Sequence, residues 1–269
     1  MSAGTGFLFI GMAKGFLFDI DGTLQLDNVL IPGALDILSK LIGDHLPFLL
    51  VTNSTIKSRK SILNLFRDNG LNLRLENILN PETVAYNFIN SEHKTAPIRL
   101  MLREQEFDWS IFNLVEENPE FIILGDLGEG FSRELLDDLM NQVLSGATLV
   151  ALHKSKFWRV DKEIKVDLGG YVALLEYTTD KKAITIGKPS PSFFNIAAQI
   201  LGIDIKDLVM VGDDIYSDVL AASDAGLMAI LVKTGKFQES FLQIAKEKNI
   251  EVISSIKSLN LQRLINNID

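Results

Sequence analysis

Gly15-Phe16-Leu17-Phe18-Asp19-Ile20-Asp21-Gly22-Thr23-Leu24 is the stretch that decides the fold. Gly15 to Phe18 is an apolar run without alternation, as expected of a parallel strand covered on both faces, and it ends abruptly in Asp19. Two carboxylates two residues apart, followed by a glycine that lets the chain turn, can place one side chain on a substrate and the other beside its leaving group. In isolation Asp-x-Asp-Gly is a solvated turn, because both residue types favour turns. A buried strand in front of it, and further polar strand ends elsewhere in the chain, set this copy apart.

The same arrangement recurs outward from it. Leu46 to Val51 is a second apolar run, ending in Thr52 and Asn53, and Ser54 is expected to cap a helix carrying Ile56, Ile62, Leu63 and Phe66 to a stop at Gly70. Near the C-terminus Leu208 to Val211 runs into Gly212, Asp213 and Asp214, then a helix through Val219, Leu220 and Ala222 to Gly226. Met228 to Val232 is a further strand, ending at Lys233 and Thr234. Strands alternating with helices predict an α/β fold, a doubly wound parallel sheet whose ligands bind outside the carboxyl ends of its strands.

Residues 12–81 and 185–269 are expected to form this core, and residues 82–184 an inserted domain. The insertion carries its own strands (Ile98 to Leu102, Phe121 to Leu124, Thr148 to Leu152) and a helix capped by Ser132 with Leu135, Leu136, Leu139, Met140 and Val143 on one face. No internal repeat or low-complexity tract interrupts the pattern.

Composition narrows the function classes. The 269 residues carry a formal charge of -9, a field that repels polyanions and argues against a nucleic-acid binder. An anionic substrate then needs locally placed cations. With no cysteine there is no disulfide framework, thiolate metal ligand or cysteine nucleophile, and a reducing cytoplasm fits best. No apolar run reaches the roughly 20 residues of a membrane span, so no membrane partner is expected. Residues 1–11 lack the basic start of a signal peptide and read as a frayed extension or a misplaced start.

Three more polar clusters accompany the first. Thr52-Asn53-Ser54 puts a hydroxyl and amides beside a helix start, which can cradle an anion or simply cap the helix. Gly187-Lys188-Pro189-Ser190-Pro191 places a lysine before another helix. Gly212-Asp213-Asp214, with Asp218 one turn later, gathers carboxylates suited to a hard divalent cation.

In this order the four clusters resemble those of the haloacid dehalogenase superfamily of phosphohydrolases. The long insertion and the Gly187-Lys188-Pro189 segment look like its class two, subclass A branch, the 4-nitrophenylphosphatase-like enzymes, and the resemblance runs from about Gly15 to Gly235. It implies a Rossmann-like core with an inserted α/β cap. It further implies a Mg2+-dependent phosphatase acting on a small phosphorylated metabolite through a phospho-aspartyl intermediate. By position, Asp19 matches the nucleophile and Asp21 the general acid and later base, with its backbone carbonyl on the metal. Thr52, Asn53 and Ser54 match the phosphate grip, and Lys188 the cation facing nucleophile and phosphate. Asp213 matches the metal carboxylate, giving a metal set of Asp19, Asp21 and Asp213, with Asp214 and Asp218 as outer support for metal-bound waters.

In that branch the cap supplies substrate contacts. His153, Lys154, Lys156, Trp158 and Arg159 follow a cap strand, and Lys154 and Trp158 are the expected specificity residues; the alternative is a solvated hairpin. His45 and His93 are expected at the surface without a role, and Gly169-Gly170 at a loop or helix start. The branch also contains pyrophosphate and phosphoamidate phosphatases, which stand as an alternative, as does a Mg2+-binding scaffold with little turnover. A phosphomutase is disfavoured because its relatives carry a helical cap soon after the first motif. A homodimer is left open.

Overall fold

The computed structural model describes residues 12–55, 57–160 and 163–266. The segment 1–11 and Ile56 lie outside the described residues. Two compact units are present. The first contains the described residues up to Thr52, with Arg59–Leu79 and those from Pro191 onward; the second contains Asn53–Ser58 and Asn80–Ser190.

The first unit is built on a six-stranded sheet in the order Glu251–Ile253, Met228–Val232, Leu208–Gly212, Gly15–Asp19, Phe48–Val51, Ile78–Leu79. Every pairing is parallel. Side-chain alternation splits the central strands between two faces. Phe16, Phe18, Phe48, Leu50, Val209, Val211, Ile230 and Val232 join one buried cluster with Ile37, Leu38 and Leu41 of the Ala34–Gly43 helix and Ile62, Leu63 and Phe66 of the Arg59–Asp68 helix. Leu17, Leu49, Met210 and Leu231 are as deeply buried on the opposite face. Burial on both faces is why these strands read as unbroken apolar runs.

The helix expected directly after Ser54 starts later, at Arg59. Ser54 does not cap it: its hydroxyl accepts the Lys57 N–H at 3.2 Å and closes a local turn instead.

The second unit has a five-stranded parallel sheet in the order Ile184–Thr185, Thr148–Ala151, Phe121–Leu124, Pro97–Met101, Asn113–Leu114. The Arg133–Leu144 helix is capped by Ser132, whose hydroxyl accepts from Leu135 N–H. Leu168–Thr179 is a helix started by Asp167, so Gly169 and Gly170 fall in its first turn. Phe157–Val160 and Glu163–Val166 pair as an antiparallel hairpin. Among the described residues no helix is long and apolar enough to cross a membrane.

Candidate active site

In the first unit the strand order reverses between Gly15–Asp19 and Leu208–Gly212, the crevice position where doubly wound sheets bind ligands. Asp19 and Asp213 stand at the carboxyl ends of these two neighbours. The segment after Asp213 brings in a third carboxylate. Asp214 accepts the N–H groups of Tyr216 and Ser217 at 3.0 and 3.1 Å and so starts a wide π-helical turn, Ile215–Leu220. That turn folds Asp218 back, where its Oδ2 accepts the Asp214 N–H at 3.2 Å. The return is tight enough that a Cβ on Gly212 would lie 2.5 Å from the Cβ of Asp218.

Asp19, Asp213 and Asp218 are all buried, and each offers a carboxylate oxygen within 4.8 Å of the others. Three desolvated like charges repel strongly unless a cation joins them. An all-oxygen, all-carboxylate donor set fits a hard divalent cation.

The Asp213 carboxylate is enclosed by backbone. A Cβ on Gly22 (φ +95°) would meet Asp213 Oδ2 at 2.0 Å, and one on Gly235 (φ +57°) at 1.9 Å. Only glycine fits either place. The Lys236 N–H donates to the same oxygen at 2.6 Å, and the Thr234 hydroxyl donates to the Gly22 carbonyl at 2.5 Å, tying the two loops together. The Lys236 ammonium pairs with Asp214 at 3.3 Å. Desolvation pulls its pKa down, but the charges of Asp214, Asp19, Asp218 and Asp213 outweigh this and raise it. Burial pushes the Asp214 carboxyl up, while Lys236 and the N–H groups of Ser217 and Tyr216 hold it below its ordinary value.

The structure thus redistributes the acidic residues. Asp218, expected in outer support, groups directly with Asp19 and Asp213 because the wide turn carries it back. Asp214, expected beside it, serves as the cap of that turn and the partner of Lys236. The Asp21 side chain stays outside the three-carboxylate group: it is exposed, and its Oδ1 accepts from Gln25. Thr52 is buried at the end of its strand, where its N–H donates to the Leu79 carbonyl at 3.1 Å. Lys236 and Gln25 went unread in the sequence. Lys236 had a signal, since it comes after the strand adjacent to the one that ends in Asp213.

The second unit holds the remaining predicted residues. Asn53 grips the backbone of Lys188 at both ends: its Nδ2–H donates to the Lys188 carbonyl at 2.6 Å, and its Oδ1 accepts the Lys188 N–H at 2.9 Å. Gly187 allows this approach, because a Cβ there would meet Leu152 O at 2.5 Å and Asn53 Oδ1 at 2.7 Å. The Lys188 side chain is buried. Lys154 pairs with Glu176 at 2.8 Å. Burial pushes the Glu176 carboxyl up, but Lys154, the Ala183 N–H and Lys182 hold it below its ordinary value.

His153 is buried, its Nδ1 3.3 Å from the Ser155 amide nitrogen and its Nε2 3.4 Å from Thr55 Oγ1 and 3.8 Å from an Asp167 carboxylate oxygen. Trp158 lies in the hairpin opposite Lys165, with its side chain, like that of Arg159, outside the described residues. His45 is exposed at a left-handed turn, φ 55°. His93, expected at the surface, is half-buried instead: it ends the Pro81–Glu92 helix, and its ring packs on Phe121 at 4.4 Å and Phe88 at 4.8 Å.

Known proteins share both the fold and the sequence pattern. The model of the haloacid dehalogenase-like hydrolase family matches residues 16–108, and that of the HAD-hydrolase-like family matches residues 185–259. The human haloacid dehalogenase-like hydrolase domain-containing protein 2 is 32% identical over 228 residues, covering 84% of this chain and 86% of its own. Human phospholysine phosphohistidine inorganic pyrophosphate phosphatase is 30% identical over 234 residues, covering 84% and 85%. The structure of NagD from E. coli K-12 superposes with a TM-score of 0.82 at 23% identity over 93% of this chain and 99% of that one, a likeness of fold.

Proposed function

Because the chain belongs to the haloacid dehalogenase-like hydrolases, we propose that it is a magnesium-dependent phosphatase acting on a small phosphorylated metabolite through a phospho-aspartyl intermediate on Asp19. The observation that carries this is the group of buried carboxylates Asp19, Asp213 and Asp218 at the strand-order reversal. Magnesium held by these carboxylates, with the Asp21 backbone carbonyl, would supply positive charge against the phosphoryl oxygens and the ionised nucleophile.

The chain's own groups do the rest. The Asp19 carboxylate attacks phosphorus, forming an acyl phosphate as the bond to the leaving oxygen breaks. Asp21 gives that oxygen its proton, then takes one from the water that hydrolyses the acyl phosphate. Thr52 and Asn53 orient the phosphoryl group, and Lys188 offsets its charge. Lys154 and Trp158 would set substrate choice.

Similarity to the phospholysine phosphohistidine inorganic pyrophosphate phosphatase supports a second reading, in which the bond cleaved is P–N or P–O–P. The purified chain should be screened with Mg2+ against phosphate monoesters, phosphoamidates and pyrophosphate, with Asp19→Asn as the control. Turnover of monoesters that needs metal and Asp19 is the expected result. Turnover that survives chelation would remove the mechanism, and activity confined to phosphoamidates or pyrophosphate would select the second reading.

A further inference from the structure

We infer that Gln25 is a positioning residue for Asp21, holding its carboxyl group by one oxygen so that the other transfers the proton to the leaving group. This role rests on the reading of Asp21 as the general acid. Gln25 is 1% exposed, yet its Nε2–H donates to Oδ1 of the exposed Asp21 at 2.5 Å. Its Oε1 is buried and has no hydrogen-bond partner among the described residues.

The backbone of this loop is settled without that side chain. The N–H groups of Leu24 and Gln25 both donate to the Ile20 carbonyl at 3.0 Å, and the Gly22 N–H donates to the Gln25 carbonyl at 2.7 Å. Gln25 also pairs with Leu30 in a short antiparallel ribbon. These bonds bring residue 25 beside residue 21. They would do so equally with an apolar side chain, which would leave no orphaned buried carbonyl. The amide is therefore a poor choice for stability, and its one hydrogen bond goes to the residue assigned as acid.

The chemistry gives that bond a use. An exposed aspartate samples several rotamers, whereas an acid must be held within hydrogen-bond reach of the atom it protonates. In the proposed role, with Oδ1 on the amide, the transferred proton passes through Oδ2. In the transfer the Oδ2–H bond breaks as the leaving oxygen gains the proton and its bond to phosphorus breaks. The carboxylate left behind keeps the Gln25 N–H.

The test uses single-turnover hydrolysis of an alkyl phosphate and of 4-nitrophenyl phosphate, whose aryloxide departs with little need of a proton. It compares Gln25→Met (similar length, no amide), Gln25→Asn (amide withdrawn by one methylene), Asp21→Asn and the Asp21→Asn/Gln25→Met double variant. Acid catalysis is worth about a hundred- to ten-thousandfold, so each Gln25 variant should lose roughly tenfold or more on the alkyl ester and about threefold or less on the aryl ester. In the Asp21→Asn background Gln25→Met should change neither rate, because the two residues act as one unit. The melting temperature of Gln25→Met should be unchanged or higher.

Equal losses on both esters, a further loss in the Asp21→Asn background, or a fall in melting temperature paralleling the rate would overturn the inference and make Gln25 a structural residue. If Asp21→Asn itself shows no dependence on the leaving group, the reading of Asp21 falls instead. Should Gln25→Met fail to fold, Gln25→Asn alone decides by the ratio of the two losses.

Discussion

Asp19, Asp213 and Asp218 set a conflict between stability and chemistry at the scale of single side chains. Without a cation each buried carboxylate raises the electrostatic cost of the other two, so replacing one by a neutral isostere relieves the folded state. Asp19→Asn should therefore melt no lower than the parent in chelator, while its hydrolysis falls by roughly a thousandfold or more, the order seen for lost nucleophiles in covalent sites. Thermal melts in chelator and turnover in Mg2+ check the two halves separately. A large drop in melting temperature would show that Asp19 is a structural group whose loss of activity means little. The same balance explains Gly22 and Gly235: with the Asp213 oxygen about 2 Å from where either Cβ would be, an alanine at those positions must displace the carboxylate.

Elements decide how those side chains are aimed, and at this scale the sequence was legible in part. Apolar runs ending in Asp19, Thr52 and Gly212-Asp213 disclosed the parallel strands and the polar residues at their carboxyl ends, because burial on both faces leaves an unbroken pattern. The approach of Asp218 to Asp19 and Asp213 is not legible in any periodicity, because it depends on the wide turn Ile215–Leu220 that carries the side chain back. Gln25 was invisible, since its contact depends on how the Ile20–Gln25 loop closes and not on any periodicity. The Asn53–Lys188 clasp joins residues 135 positions apart, a pairing no local pattern encodes. Gly187→Ala should open this clasp, costing about 1–3 kcal/mol by overpacking and lowering turnover in parallel; unchanged denaturation midpoint and rate would show that the close approach is dispensable. The Pro81–Glu92 helix carries a second test. Glu82 accepts the N–H groups of Glu106 and Trp109, each at 2.9 Å, and burial, with the charge of Glu106, outweighs these bonds to raise its pKa. A carboxyl raised in the folded state favours folding below its unfolded pKa, and that contribution is lost as pH rises through the folded value. Glu82→Gln, which keeps the accepting oxygen, should thus gain stability over the parent at about pH 7 compared with about pH 4. Parallel stability–pH curves for the two proteins would refute the assignment.

Over the whole molecule, a chain of net charge -9 concentrates three buried carboxylates in one of its two compact units, so a cation should act on the two units unequally. A ligand that binds only the folded state stabilises it by RT ln(1 + [L]/Kd), about 2.7 kcal/mol at a hundredfold excess over Kd. Because two units need not unfold as one, a single melting temperature would blur this effect, whereas hydrogen exchange resolves it along the chain. Mg2+ should slow exchange of the Leu17, Phe18, Met210 and Val211 amides, which belong to the strands ending at the carboxylates. It should leave the Phe121–Leu124 and Thr148–Ala151 strands of the other unit much less affected. Asp213→Asn should abolish the difference, since the Asp213 carboxylate is seated against the backbone of Gly22 and Gly235 within the three-carboxylate group. Protection that appears equally in both units, or that persists in Asp213→Asn, would mean that the ion binds elsewhere. Protection confined to the first unit and lost with Asp213 would place the metal on the same strand ends that the apolar runs of the sequence first marked.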